Sequence, residues 1–252
     1  MQPKIAPLAI LSDIHGNIDA LAAVLEDATK HGCVDAVCLG DIVGYGPAPG
    51  ACVRLVRERC ATSVLGNHED MVLTMSRQSL TLCDEGAELW DSLALCQKDL
   101  EAADKRWISQ LPLTAANDDM TFVHASLHDP REFDYIDCEE SARRNFAAQE
   151  SFVSFHGHPH APVIWEKAGR TVVGYIPEAA EPVLSPSRLY AVGVGSVGQP
   201  RDGDPRASYA IYEPHTRRLI IRRVEYDIAK ARKRFSRRGM TGFNSRRIVE
   251  GF

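Results

Sequence analysis

Asp13-Ile14-His15, Gly40-Asp41, Gly66-Asn67-His68-Glu69, His124 and Gly157-His158-Pro159-His160 each close a short apolar run. Those runs, at 8–11, 36–39, 62–65, 120–123 and 151–155, have the length of strands, the first two continuously apolar and the others broken only by Ser or Thr. Several strands that all end in side chains able to ligate or titrate leave few architectures open. In open α/β sheets, ligand sites collect beyond the carboxyl ends of the strands, where loops from separate strands converge. Between the first two runs Ile18, Leu21, Ala22, Leu25 and Ala28 recur at helical spacing, with Asn17 placed to cap them. A loop rich in glycine and proline (Gly44, Gly46, Pro47, Pro49, Gly50) leads into a second helical pattern through Cys52, Leu55 and Val56. Strand–helix–strand alternation with short connections predicts a parallel α/β sheet.

Residues 69–110 are almost wholly helical in pattern (Leu89, Leu93, Leu95, Leu100, Trp107) and are expected to form a helical insertion beside that sheet. A further helix is expected at 139–149. Beyond 160 the texture changes to short β runs at 163–165, 171–173, 189–194, 208–212 and 219–224, with turns between them. No repeat, low-complexity stretch or linker interrupts the chain. The economical reading is one domain over 1–226, with a basic helical tail over 227–252 packed on it. Charge is uneven: 217–252 holds twelve Lys and Arg against three acids, so a chain of net −5 divides into a body of −14 and a tail of +9. Such a tail could face nucleic acid or a membrane surface. Tyr226, Ile228 and Phe235 spaced among Arg and Lys fit instead a docked helix with a solvated basic face. No aromatic-rich basic patch accompanies it, so nucleic acid is not the expected partner.

At 252 residues, with 44% hydrophobic and 25% charged residues, the chain can bury a globular core without disulfides. Seven cysteines (Cys33, Cys38, Cys52, Cys60, Cys83, Cys96, Cys138) are odd in number and form no CxxC pair. That excludes a disulfide scaffold or zinc ribbon and predicts reduced, mostly buried thiols in a cytoplasmic protein. The apolar runs are too short for a membrane span, and residues 5–11 read as a strand rather than a leader core, so no membrane partner is expected.

Residues i and i+2 of an extended segment point the same way, so Asp13 with His15, and His158 with His160, are each expected to present two donors to one volume. Pro159 should bias His158 towards the extended form. Pooled, Asp13, His15, Asp41, Asn67, His124, His158 and His160 supply oxygen and imidazole without thiolate, which suits manganese, iron or zinc. Seven donors exceed the needs of one ion. Two cations roughly 3.5–4 Å apart, sharing a carboxylate, would use them all. Two divalent ions, two aspartates and a bridging hydroxide leave a net charge of about +1, suited to an anionic phosphoryl group.

The same motifs, in this order over 13–160, resemble the calcineurin-like metallophosphoesterases. The glycine-rich stretch at 193–198 looks like their bacterial and archaeal small-phosphoesterase branch. The resemblance implies an α/β fold, a β-sandwich flanked by helices (α/β/β/α), here with the helical insertion. It implies that Asp13, His15, Asp41 and His160 hold a first cation, that Asp41 bridges, and that Asn67, His124 and His158 complete a second site. His68 would touch the phosphate and protonate the leaving oxygen rather than ligate. Glu69 would orient His68. The implied reaction is attack of a metal-bridging hydroxide on phosphorus. One departure narrows the substrate. The phosphoprotein-phosphatase branch, like the symmetrical diadenosine tetraphosphatases near it, carries Gly-Asp-x-x-Asp-Arg-Gly, and its arginine clamps phosphate. Gly40-Asp41-Ile42-Val43-Gly44-Tyr45-Gly46 lacks that arginine, and Tyr45 is expected to stack on a base or cover the leaving group.

The remaining polar features carry less. Gly193–Gly198 fits G-x-G-x-x-G, but Pro200 and Pro205 forbid the helix a dinucleotide site needs. The stretch is expected instead to bring backbone close to the cations, with Arg201 either reaching a distal phosphate or solvated. His128, between a strand and Asp129-Pro130, reads as a loop residue near the mouth. His156 should point with His158 and His160, as support behind them or as a core histidine, while His31 and His215 read as surface residues. The expected function is a dinuclear-metal phosphoesterase acting on a small phosphorylated substrate, a phosphodiester or nucleotide. Phosphomonoesters or phosphoserine are the alternative substrates, and a non-catalytic scaffold of the same fold the alternative role.

Overall fold

A computed structural model describes residues 6–74, 86–117, 119–176 and 182–252; Cys83 and residues 75–85 of the expected insertion lie outside them. The strands form two mixed sheets. In the first, β1 (Leu8–Leu11), β2 (Asp35–Cys38) and β3 (Cys60–Ser63) run parallel, and β10 (Ala207–Glu213) and β11 (Arg218–Val224) join antiparallel on the far side of β1. In the second, β5 (Met120–Val123), β6 (Val153–His156) and β9 (Leu189–Val194) are parallel. Antiparallel β4 (Thr114–Asn117) flanks them on one side, with β7 (Pro162–Ala168) and β8 (Thr171–Tyr175) on the other.

The pleat explains why the early strands read as unbroken apolar runs. Ile10, Val37 and Leu39 point between the sheets, where they meet Phe122, Phe155, Val192 and Val194. Ala9, Leu11 and Cys38 point the other way, under α1 (Ile18–Lys30) and α2 (Pro49–Arg59). Both faces are covered, so neither can be polar. On the outer face of the second sheet α6 (Glu139–Ala148) lays Ala142 and Phe146 against Trp165, Val172 and Ala191. Helix, sheet, sheet and helix are thus stacked in four layers, the β-sandwich expected above.

α3 (Asn67–Thr74), α4 (Gly86–Asp99) and α5 (Ala102–Ile108) bury Val72, Leu93, Cys96 and Ile108 in the same core as α1 and α2. Two of the differences from the sequence expectation have a plain physical reason. β3 ends at Ser63 rather than at 65, because the Leu65 amide donates to the carbonyl of Pro112 instead of to the ladder. β4 was not anticipated; its Thr-Ala-Ala-Asn sequence is largely exposed and carries no apolar alternation.

α7 (Ile228–Arg237) and α8 (Phe243–Glu250) pack on each other through Ala231, Phe235 and Ile248. Their charge has specific partners. Lys230 and Arg234 reach Asp19 of α1 at 2.9 and 2.6 Å, Arg238 reaches Asp99 at 2.9 Å, and Glu88 accepts from the amides of Phe243 and Asn244. Pairs of this exposed kind contribute little each. Together they set Lys230, Arg234 and Arg238 of the basic segment against acidic side chains of the body. The six described cysteines are free, Cys38, Cys52 and Cys96 buried and Cys138 exposed. No helix among the described residues is long and apolar enough to cross a membrane.

Candidate metal centre

All seven expected donors meet at the end of the two sheets where β1, β2, β5 and β6 terminate, but not by the extended geometry anticipated. Asp13, His15, Asp41, His158 and His160 all have positive φ, between 45° and 72°. In this left-handed region the chain reverses within a residue or two, and Asp and His tolerate it better than most side chains. Each strand therefore ends abruptly and turns its polar side chain inward over the sheet edge. Pro159 does not hold His158 extended; the His158 amide instead donates to Asp13 Oδ2 at 3.0 Å, which fixes the turn. The amide of His15 donates to the carbonyl of Asp41 at 2.9 Å, joining the first two loops.

Two groups of buried donors result, Asp13 with His15, Asp41 and His160, and Asp41 with His124 and His158. Asp41 belongs to both. Three imidazoles are oriented by main-chain carbonyls, His15 Nδ1 by Val43 at 3.0 Å, His160 Nδ1 by Gln199 at 2.6 Å and His124 Nδ1 by Leu39 at 2.8 Å. A carbonyl only accepts, so each Nδ1 carries the proton and donates it. Burial holds His15 and His160 well below the usual imidazole range, which makes both neutral. Their Nε2 atoms then present bare lone pairs, yet these face each other at 3.0 Å. Two lone pairs cannot bond one another; a cation between them and the carboxylates resolves the contact.

The second group repeats the arrangement. His124 Nε2 lies 3.0 Å from Asn67 Oδ1, 3.2 Å from His158 Nδ1 and 3.4 Å from Asp41 Oδ2. Burial pulls His124 down, but the Asp41 carboxylate outweighs it and draws the imidazole up to about 9. A proton thus stands where a cation would displace it. Burial, reinforced by the charge of Asp41, pushes Asp13 up to about 7, whereas the surrounding imidazoles hold Asp41 itself well down despite its burial. This chemistry, neutral imidazoles and crowded carboxylates aimed at common points, fits divalent cations.

His68 sits beside these groups, its Nε2 3.9 Å from Asp41 Oδ2 and its amide on Asp41 Oδ1 at 2.9 Å. Burial lowers its pKa, with Asp41 pulling the other way. Gly44 (φ 84°) passes so close that a Cβ there would overlap the imidazole. Tyr45 covers the pair, its ring 4.5 Å from that of His68 and 4.7 Å from that of His15, and the Arg201 guanidinium lies 5.7 Å from its centroid. The Gly193–Gly198 stretch does bring backbone to the site, with the Gly198 amide on the carbonyl of Asp13 at 2.9 Å.

Glu69 does not orient His68. Its buried carboxylate accepts the amides of Asp41, Ile42, Val43 and Gly66 at 2.7, 2.8, 3.0 and 3.1 Å. It shapes the loop that carries Asp41, because four inward-pointing N–H groups need an acceptor that water cannot supply there. Glu69→Ala should leave those amides unsatisfied and lower the unfolding free energy by about 3 kcal/mol or more, measured by denaturant titration of the metal-free protein. A loss within experimental error would show that the loop holds itself.

The family profile described as "Calcineurin-like phosphoesterase" matches residues 6–177, more than half the chain. The chain belongs to this family. An uncharacterized protein of Methanocaldococcus jannaschii is 32% identical to this phosphoesterase-family chain over 251 residues, covering 97% of it and 98% of the relative. The crystal structure of a metallophosphoesterase from Sphaerobacter thermophilus superposes with a TM-score of 0.85 at 35% identity, covering 98% of this chain and 99% of that one. A symmetrical bis(5'-nucleosyl)-tetraphosphatase of Vibrio campbellii is 31% identical over 121 residues, covering 47% of this chain and 44% of its own.

Some residues of this family member's site escaped the sequence reading. Gln199 holds His160 through its carbonyl, accepts from Arg201 Nη2 at 2.8 Å through its side chain, and donates to Asn244 of α8 at 3.1 Å. Phe133 and Tyr135 bring their rings to His124 and His158, at 6.0 and 4.1 Å. Two aromatic residues spaced i, i+2 in an otherwise polar loop were the available signal. His128 of the same loop is exposed. His156 is buried but joins neither donor group, and burial lowers it to about 4. His31 and His215 are exposed as expected.

Proposed function

We propose that this chain hydrolyses phosphodiester or nucleotide substrates with two divalent cations (manganese, iron or zinc) and His68 as proton donor. The observation that carries the reading is the pair of Nε2 lone pairs of His15 and His160 facing each other beside Asp13 and Asp41. Asp13, His15, Asp41 and His160 would hold one cation, and Asp41, Asn67, His124 and His158 the other. Two cations held there supply a hydroxide nucleophile at neutral pH and offset charge on the phosphoryl oxygens. His68, its Nε2 3.9 Å from Asp41 Oδ2, would give a proton to the departing ester oxygen, with the Asp41 carboxylate opposing the burial that lowers its pKa. Tyr45 covers that oxygen and its substituent, and Arg201, steered by Gln199, meets a distal phosphate. The name of the Vibrio campbellii relative supports a nucleotide among the candidate substrates.

Metal-stripped protein reloaded with manganese, iron or zinc tests this on bis-p-nitrophenyl phosphate, p-nitrophenyl phosphate and diadenosine polyphosphates. Turnover restored by metal, with the diester or the dinucleotide preferred, is the expected result. Preference for the monoester would make the chain a phosphomonoesterase. Cation binding without turnover on any of the three would favour a scaffold.

A further inference from the structure

We infer that Tyr135 is a second substrate-recognition residue, which stacks on a planar group carried by the ester arm that stays on phosphorus. This deepens the proposed phosphoesterase reading and rests on it. The two histidine groups have different walls. On the side of His15 and His68 the wall is Tyr45 with Arg201 over it. On the side of His158 it is Tyr135, stacked on the imidazole at 4.1 Å and 24° between planes. Phe133 of the same loop sets its ring edge-on to His124 at 6.0 Å, and its own backbone is left-handed (φ 54°). The loop thus turns both rings towards the second histidine pair.

Tyr135 is 47% exposed despite this stacking. A tyrosine with one face on a buried imidazole and nearly half its surface in solvent offers a π surface at the edge of a reaction site. Base–aromatic stacking of this kind tolerates any base, since each has a π face. The allocation of the two arms follows from His68. A proton donor must lie beside the oxygen that leaves, and His68 is packed against Tyr45. The leaving arm therefore falls to Tyr45, and the arm retained on phosphorus falls to Tyr135. The substrate class is a phosphodiester, or a polyphosphate bridge, bearing a planar group on each side, as a nucleotide-containing diester does.

The test compares wild type, Tyr135→Ala and Tyr135→Phe as metal-loaded proteins. For bis-p-nitrophenyl phosphate, Tyr135→Ala should lower kcat/KM about tenfold, within the range of a lost stacking contact, and Tyr135→Phe should restore it. For p-nitrophenyl phosphate, which has only the leaving arm, the loss in Tyr135→Ala should be several-fold smaller than on the diester. Calorimetric binding of bis-p-nitrophenyl phosphate should weaken in Tyr135→Ala by a similar factor, and bound metal per chain should not change. Equal losses on both substrates, no loss on either, or a drop in bound metal would overturn the inference; the last would mean that Tyr135 only props His158. The binding arm separates this inference from the reading beneath it. If wild type binds the diester without turnover and Tyr135→Ala weakens that binding, the hydrolytic function fails and the stacking site stands. If the diester binds neither protein, the stacking site fails as well.

Discussion

Asp41→Asn should lower turnover on the order of 10³-fold or more, because several kcal/mol of charge stabilisation rest on one carboxylate and each 1.4 kcal/mol is about tenfold in rate. The geometry behind this is the double membership of Asp41. It lies 3.7 Å from His15 Nε2 in the first donor group and 3.4 Å from His124 Nε2 in the second, and its other oxygen accepts the amide of His68. Removing its charge would disturb both proposed cation positions and the proposed proton donor at once. Asparagine keeps the shape, and like aspartate it tolerates the left-handed backbone (φ 51°) better than alanine does, so the fold should survive. Metal analysis of the purified variant should show less than the wild-type content, with the loss of rate persisting at saturating metal. Near-wild-type turnover with full metal content would remove Asp41 from the role of shared ligand.

His68→Asn should lose about 10²- to 10⁴-fold on esters whose leaving group is a basic alkoxide, the usual worth of general acid catalysis. The loss should shrink to about tenfold or less on p-nitrophenyl esters, whose weakly basic leaving group needs little help from a proton. Bound metal should stay at the wild-type level. A series of aryl and alkyl phosphodiesters of graded leaving-group basicity measures this directly. A loss independent of the leaving group would mean that His68 positions phosphate rather than donating a proton. The tight fit of the imidazole against Gly44 makes the rotamer of His68 a property of the Gly-Tyr-Gly turn, so the proposed donor is held in place by the fold itself.

Much of this was readable from one sequence, for physical reasons. β1 and β5 match their apolar runs residue for residue, because strands so largely buried, with the half-buried Thr121 their one polar residue, leave little to blur their ends. The donor set was readable because each member directly follows such a strand. The backbone that aims the donors was not. Extended alternation is the default for residues leaving a strand, and nothing local in Asp-Ile-His or His-Pro-His announces that five donors turn left-handed; the hydrogen bonds that hold those turns come from distant loops. The same holds for Glu69, whose four amide partners lie up to 28 residues away, and for Asn244, which meets Gln199 from 45 residues further on. β4 went unseen because a short exposed edge strand has no hydrophobic pattern to display. The tail's charge was visible, and its meaning emerged only when Asp19, Glu88 and Asp99 appeared opposite it.

The carboxylate of Glu69 fills the cup of amides that the 40–44 turn makes, much as a phosphate fills the loop of a nucleotide-binding protein. The chain therefore carries its own template for the turn, a carboxyl group that burial and the charge of Asp41 push up to about 7 against the pull of those amides. Proteins whose ligands are drawn together by their ion fold and load in one event, and lose both together when the ion is stripped. Here the turn that carries Asp41 has a second support in Glu69, an acceptor that belongs to the chain and does not leave with an ion.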